Sequence, residues 1–202
     1  MSLANALIKA LGEVESAFQP DELAYLALTQ KVEHAVRDKL AFKLHQRLSK
    51  VSPEMLVCRE WFRADLAVVR DDKPMLILEA KAVYTFDIVK TGAQHPFPAL
   101  VAADLEKAAA WSSSASPDAP LETFALVIAT HPHSAPGALY RRAVKYYGGV
   151  VKYAVDSNTY ESACQVMSQK MTHVEQIHTC RLAAGRAFGV DVSVFLWLYK
   201  PR

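Results

Sequence analysis

Asp65, Glu79 and Lys81 are the residues whose types and spacing are best suited to chemistry. They lie in Arg63-Ala-Asp65-Leu-Ala-Val-Val-Arg-Asp-Asp-Lys-Pro-Met-Leu-Ile-Leu-Glu79-Ala-Lys81, where two apolar runs flank Asp71-Asp72-Lys73-Pro74. Asp and Pro favour a turn, so the two runs read as the strands of one hairpin. Side chains alternate across a strand, so Glu79 and Lys81 project from one face and Ala80 from the other. A turn centred on Asp72 then sets Asp65 opposite Glu79 and Ala67 opposite Ile77. The product is a pair of carboxylates with a lysine beside it.

That arrangement is costly unless it has a purpose. One face of the hairpin carries Leu66, Val68, Leu76, Leu78 and Ala80, and the other Ala67, Val69, Met75 and Ile77 with the three charged residues. Both faces are mainly apolar, so the sheet is expected to be covered on both sides. Unpaired charge is expensive there and adjacent carboxylates repel. A structural ion pair needs only one carboxylate. Two of them with a lysine suit a divalent cation, which takes hard oxygen ligands and offsets the repulsion.

The elements that must position these residues follow from periodicity. Leu3, Leu7, Ala10, Leu11, Val14 and Phe18 recur at helical spacing behind the N-cap candidate Ser2, predicting a helix that ends near Pro20 and packs into the core or against a second copy. Val32, Val36, Leu40, Leu44 and Leu48 predict a second helix from about Asp21 to about Leu48, with Glu33 on the edge of its apolar stripe. Strands are expected over Met55 to Trp61, Ala64 to Arg70 and Met75 to Ala82, forming a β-meander. A helix over Ala99 to Trp111 and a loop over Ser112 to Pro120 come next, then Phe124-Ala-Leu-Val-Ile128, a continuous apolar run typical of a strand buried on both faces. Beyond it the pattern predicts a helix from Ala135 to about Tyr147, a Gly148-Gly149 turn, a strand from Val150 to Val155, a helix from Thr159 to Met171 and a strand from Val192 to Tyr199.

Asp65, thirteen intervening residues and then Glu79-Ala80-Lys81 resemble the motif of the PD-(D/E)xK nuclease superfamily. The order of elements from about residue 22 to residue 130, helix, three-stranded meander, helix and fourth strand, is similar to that superfamily's core. Glu33, in Val32-Glu33-His34-Ala-Val36-Arg37-Asp38, matches the glutamate that the first core helix often contributes there. Ala64 stands where the motif has proline. The resemblance covers about half of the chain, and residues 135–202 match no particular subfamily. It implies an α/β, restriction endonuclease-like core, a central mixed sheet of four or more strands flanked by helices in α-β-β-β-α-β order. It also implies that Asp65, Glu79 and the Ala80 carbonyl hold Mg²⁺, with Mn²⁺ as a substitute, and that Glu33 joins through water. Lys81 would orient or deprotonate the attacking water and stabilise charge, tasks that suit lysine's shiftable pKa.

Gln94 and the Asp104-Lys107 pair on the following helix are further candidates near the site. His131-Pro132-His133 follows the fourth strand and reads as a loop more readily than as a metal site, while His34, His45, His95, His173 and His178 have no ligand spacing. Arg37, Lys39, Lys43, Arg47 and Lys50 make one helix basic, and Arg141, Arg142, Lys145 and Lys152 form a second cluster near Tyr146, Tyr147, Tyr153 and Tyr160. Each cluster fits either a phosphate backbone or a solvated helix face.

Composition sets the outer bounds. The chain has 202 residues, 23 Lys plus Arg against 21 Asp plus Glu and 51% apolar residues, which points to one domain spanning 1–202 and excludes a disordered or fibrous protein. No run of about 18 apolar residues lacks a charge, and no signal peptide pattern opens the chain, so a soluble, cytoplasmic protein with no membrane partner is expected. Cys58, Cys164 and Cys180 form no CxxC pair and read as buried thiols of a reducing compartment. GxSxG, P-loop and GxGxxG patterns are missing. The expected function is a metal-dependent endonuclease that hydrolyses DNA phosphodiesters, of restriction or repair type. A homodimer is expected, because a chain this short needs a partner to cut both strands. The alternative is an inactive module of the same fold that binds DNA or a protein.

Overall fold

The computed structural model describes residues 2–90, 97–111, 120–153 and 159–202. The apolar stripe behind Ser2 forms α1 (Leu3–Leu11), with the Ser2 hydroxyl accepting the Asn5 N–H at 3.2 Å. The helix ends earlier than the stripe: Val14 remains buried, but the chain turns at Gly12 into a single 3₁₀ turn over Glu15–Ala17. The long second helix of the sequence reading is two helices, α2 (Glu22–Thr29) and α3 (Glu33–Val51). Gln30, with φ −149° and ψ 178°, is extended and interrupts the helix. The break makes Glu33 the first residue of α3, free to reach across the sheet end.

The meander is as expected: β1 (Leu56–Trp61), β2 (Ala64–Arg70) and β3 (Lys73–Tyr84) are successive antiparallel neighbours. Both connections are two-residue turns with positive φ at both positions, Phe62 (46°) and Arg63 (76°), then Asp71 (52°) and Asp72 (59°). This backbone twist matches that of paired strands. Ala67 lies opposite Ile77 and Leu66 opposite Leu78, the register expected from a turn at Asp72. A register shift at Val68/Val69 turns Met75 into the same core cluster as Leu76, correcting its expected face.

From β3 the chain passes through α4 (Thr85–Lys90) and α5 (Phe97–Ala109) to β4 (Glu122–Pro132), which pairs parallel to β3. The expected loop over Ser112 to Pro120 lies almost wholly outside the described residues. The expected helix from Ala135 is instead one 3₁₀ turn, Ala138–Tyr140, and the expected Gly-Gly turn and strand are α6 (Tyr147–Tyr153). A Cβ on Gly149 would lie 3.2 Å from the Phe86 ring, so this glycine permits close helix packing. The helix at 159 is α7 (Thr159–Lys170). An unforeseen strand, β5 (Val174–Ala187), precedes β6 (Val190–Pro201).

The result is one mixed six-stranded sheet of order β1-β2-β3-β4-β6-β5. Its two faces bury different partners. Leu66, Leu78, Leu126 and Leu196 pack with α1, α2 and α3, while Ala125, Val127 and Trp197 pack with α5 and α7. A third, smaller cluster joins Ala67, Val69 and Ile77 to Ala108 of α5. Among the described residues no helix is long and apolar enough to cross a membrane. Cys58, Cys164 and Cys180 are half-buried free thiols, less enclosed than expected.

Candidate active site

Glu79 and Lys81 occupy the seam between the two clusters on the α5 side of the sheet, beyond Ile77. The paired positions of β2 and β3 run from Arg70/Lys73 to Leu66/Leu78. Past that point the Asp65 side chain takes over from the ladder: its Oδ2 accepts the Ala80 N–H at 2.8 Å. The two strands thus part with Asp65 and Glu79 side by side.

Each helix flanking the seam supplies charge. From α3, Glu33 Oε2 accepts the Ala82 N–H at 2.9 Å, and Arg37 one turn later reaches Asp65 Oδ1 at 3.4 Å. From α5, Asp104 lies 3.0 Å from Lys81 Nζ and Lys107 Nζ lies 3.0 Å from Glu79 Oε1. Lys107 also donates to the Arg63 carbonyl at 3.4 Å. The structure therefore gathers Glu33, Asp65, Glu79, Lys81, Asp104 and Lys107, all singled out by sequence. Gln94 and His95 lie outside the described residues.

Arg37 is the group that sequence reasoning misses. Assigned to a basic helix face, it is 4% exposed and pairs with Asp38, Glu60 and Asp65. Burial opposes its charge, but Asp38 and then Asp65 and Glu60 outweigh that and raise its pKa. Its one sequence signal is position, one turn after Glu33 on the helix edge. Arg47 of the same helix pairs with Glu13, and Lys39 lies over the Phe18 ring, so this basic cluster is partly spent inside the molecule.

The electrostatics separate the two carboxylates' neighbours. Glu79 is 4% exposed, and burial is the main reason its pKa is pushed up to about 7. Lys107 works in the opposite direction, while the adjoining Asp65 carboxyl adds to the rise. Lys81 is partly desolvated, which lowers its pKa, yet Asp104, Glu33 and Asp65 overcome this and raise it. A lysine so held remains an ammonium near neutral pH. It is suited to stabilising negative charge, not to removing a proton.

Among the described residues no group of three or more His, Cys, Asp and Glu side chains is arranged as a metal site. Asp65 and Glu79 form a two-carboxylate set at the open end of the hairpin. Mg²⁺ is typically bound by one or two carboxylates, with water and substrate phosphate completing its shell, so the donor set fits such an ion.

The histidine pair lies elsewhere. His131 and Pro132 end β4 instead of forming a loop, and His131 Nδ1 is 2.9 Å from Thr85 Oγ1. His133 Nε2 is 2.8 Å from Ser193 Oγ. Burial, followed by the neighbouring His133, lowers the His131 pKa to about 4, so this ring is neutral.

Comparison of the chain with protein-family models, with curated proteins and with solved structures finds no match.

Proposed function

We propose that the protein is a metal-dependent endonuclease that hydrolyses DNA phosphodiester bonds on a restriction endonuclease-like fold. The observation that carries this reading is the pairing of the Asp65 and buried Glu79 carboxyls where β2 and β3 part, with Lys81 on the same strand face as Glu79. The helix-meander-helix-strand order around them, with β3 and β4 parallel, supports it further.

Phosphodiester hydrolysis needs an activated water and a means of stabilising the charge that builds on the phosphate oxygens. Asp65, Glu79 and the Ala80 carbonyl would hold Mg²⁺ or Mn²⁺, and Glu33 would reach it through water. Bound there, the ion supplies Lewis acidity and a more acidic water. Lys81, kept protonated by Asp104, sets a fixed positive charge where a phosphate oxygen becomes more negative. Arg37 orients Asp65 from behind, and Lys107 balances the charge of Glu79.

Purified protein is expected to cut DNA with Mg²⁺ or Mn²⁺, and Asp65→Ala and Lys81→Ala to lower the rate at least a hundredfold, the scale of losing a charged stabilising group. Equal cutting by wild type and both variants would overturn the reading. Cutting both strands calls for two sites, so a homodimer is proposed; a mass of one chain with DNA bound refutes it.

A second reading, a module of this fold that binds DNA or a protein without cutting, draws on the ion pairs themselves. Lys81–Asp104, Lys107–Glu79 and Arg37–Asp65 balance the site with no metal bound. DNA binding with no heat of Mg²⁺ or Mn²⁺ binding would favour it.

A further inference from the structure

Two adjoining cavities lie on the protein, one of them lined by Lys81. The first, about 350 Å³, is lined by Lys31, Lys81 and Phe97 among others. The second, about 580 Å³, is lined by Arg141, Lys145 and Tyr147. Both are lined by Asp87 and Tyr146, so they lie side by side across these two residues. Among the described residues their walls carry four cations, Lys31, Lys81, Arg141 and Lys145, of which Lys81 pairs with Asp104, against one lining acid, Asp87. Tyr146, at the junction, is 39% exposed. Its ring stands edge-on to Tyr84 with centroids 5.5 Å apart, and Lys145 Nζ is 5.6 Å from its centre.

We infer that this path holds a single DNA strand and delivers it to the candidate active site, so that the substrate is single-stranded or carries an unpaired end. The inference rests on the nuclease reading for the direction of the strand, and on the cavities for its chemistry. A basic groove tracks phosphates, and an aromatic ring set within it stacks an unpaired base whatever its identity. Bases within a duplex are already stacked on each other and cannot present a face to Tyr146. Concave walls and an aromatic junction therefore select an unpaired strand, and the flanking lysines and arginine fit its charge. The second basic cluster of the sequence thereby acquires a role that its linear pattern alone left open.

Binding of a fluorescent oligothymidylate and of a blunt hairpin duplex, both in EDTA, separates this inference from catalysis. Tyr146→Ala is expected to weaken oligothymidylate binding roughly five- to a hundred-fold, the range for loss of one stacked base. Tyr146→Phe, which keeps the ring, is expected to bind like wild type, and duplex binding should be unmoved in either variant. The exposed pair Arg141→Ala/Lys145→Ala keeps the test open should Tyr146→Ala not fold. It should lower the salt slope of binding by about 1.4, at about 0.7 for each single-strand phosphate that the variant no longer neutralises. Unchanged oligothymidylate affinity and slope, or an equal weakening for duplex, would overturn the inference. Cleavage with Mg²⁺ is scored separately: intact strand binding without metal-dependent cutting refutes the nuclease reading alone.

Discussion

Replacing Glu79 by Gln is expected to stabilise the metal-free protein and, on the proposed nuclease reading, to abolish cutting. The buried carboxyl has a pKa near 7 in the fold against an ordinary 4.5. Below pH 4.5 folded and unfolded chains both carry its proton and nothing is lost. Between 4.5 and 7 the folded chain binds more proton than the unfolded one, so stability falls as pH rises, and above 7 the loss is complete. The gap between these two values corresponds to about 3 kcal/mol as an upper bound. Gln keeps the shape and an acceptor for Lys107, whose side chain is 49% exposed and returns to water readily. A net gain of about 1–3 kcal/mol at pH 8 follows, or a few degrees in Tm for a chain of this size. Urea titrations of both proteins at pH 5 and pH 8 in EDTA measure it. The variant should exceed wild type only slightly at pH 5, by under about 1 kcal/mol, and by more at pH 8. A difference that is independent of pH, or a variant less stable at pH 8, would refute the account of Glu79 as a group held at a cost for function. Added Mg²⁺ should raise wild-type stability at pH 8 and leave Glu79→Gln unchanged.

Two other perturbations test the scaffold. His131, neutral in the fold with a pKa near 4 against 6.5, contributes stability that is complete above pH 6.5 and lost as pH falls toward 4, up to about 3 kcal/mol; His131→Gln should remove that acid sensitivity in denaturant titrations. Because Glu79 changes in the opposite sense over an overlapping window, Glu79→Gln should expose the acid loss that wild type partly masks. Gly185, at φ +93°, has no room for a side chain, since a Cβ would stand 2.4 Å from Asp21 Oδ1 and 2.9 Å from Asp21 Cα. Gly185→Ala should cost more than about 1 kcal/mol in thermal unfolding, from the backbone penalty alone, and should break the Arg186 N–H bond to Asp21 at 2.7 Å.

The parts of the site legible in the sequence are those set by local geometry. A turn centred on Asp72 with strand alternation is enough to set Asp65 beside Glu79, although the protein reaches that register by a two-residue turn at Asp71-Asp72 plus a shift at Val68/Val69 that no sequence pattern announces. A helix after the meander is enough to bring Asp104 and Lys107 near. Arg37 is not legible because burial of a cation depends on Glu60 and Asp65, far from it in the chain. Strand β5 escapes the pattern because it lies at the sheet edge, where Glu175, Gln176, His178 and Arg181 blur the alternation. The segment from Tyr147 to Tyr153 misleads because Gly-Gly followed by Val-Val favours turn and strand, whereas packing of Gly149 under Phe86 decides for helix.

The end of β1 and the β1–β2 turn hold costly backbone beside the site. Glu60, Phe62 and Arg63 all hold positive φ without being glycine, at about 1–2 kcal/mol each. A small aromatic cluster lies on the turn, Trp61 against Phe62 at 4.8 Å and both against Trp111 of the α5 end. The same turn grips the site at two points, Glu60 on Arg37 and the Arg63 carbonyl on Lys107. The turn is thus a shared brace: through Glu60 it touches the Arg37 that pairs with Asp65, and through the Arg63 carbonyl the Lys107 that pairs with Glu79, so one short connection bears on the countercharges of both carboxylates.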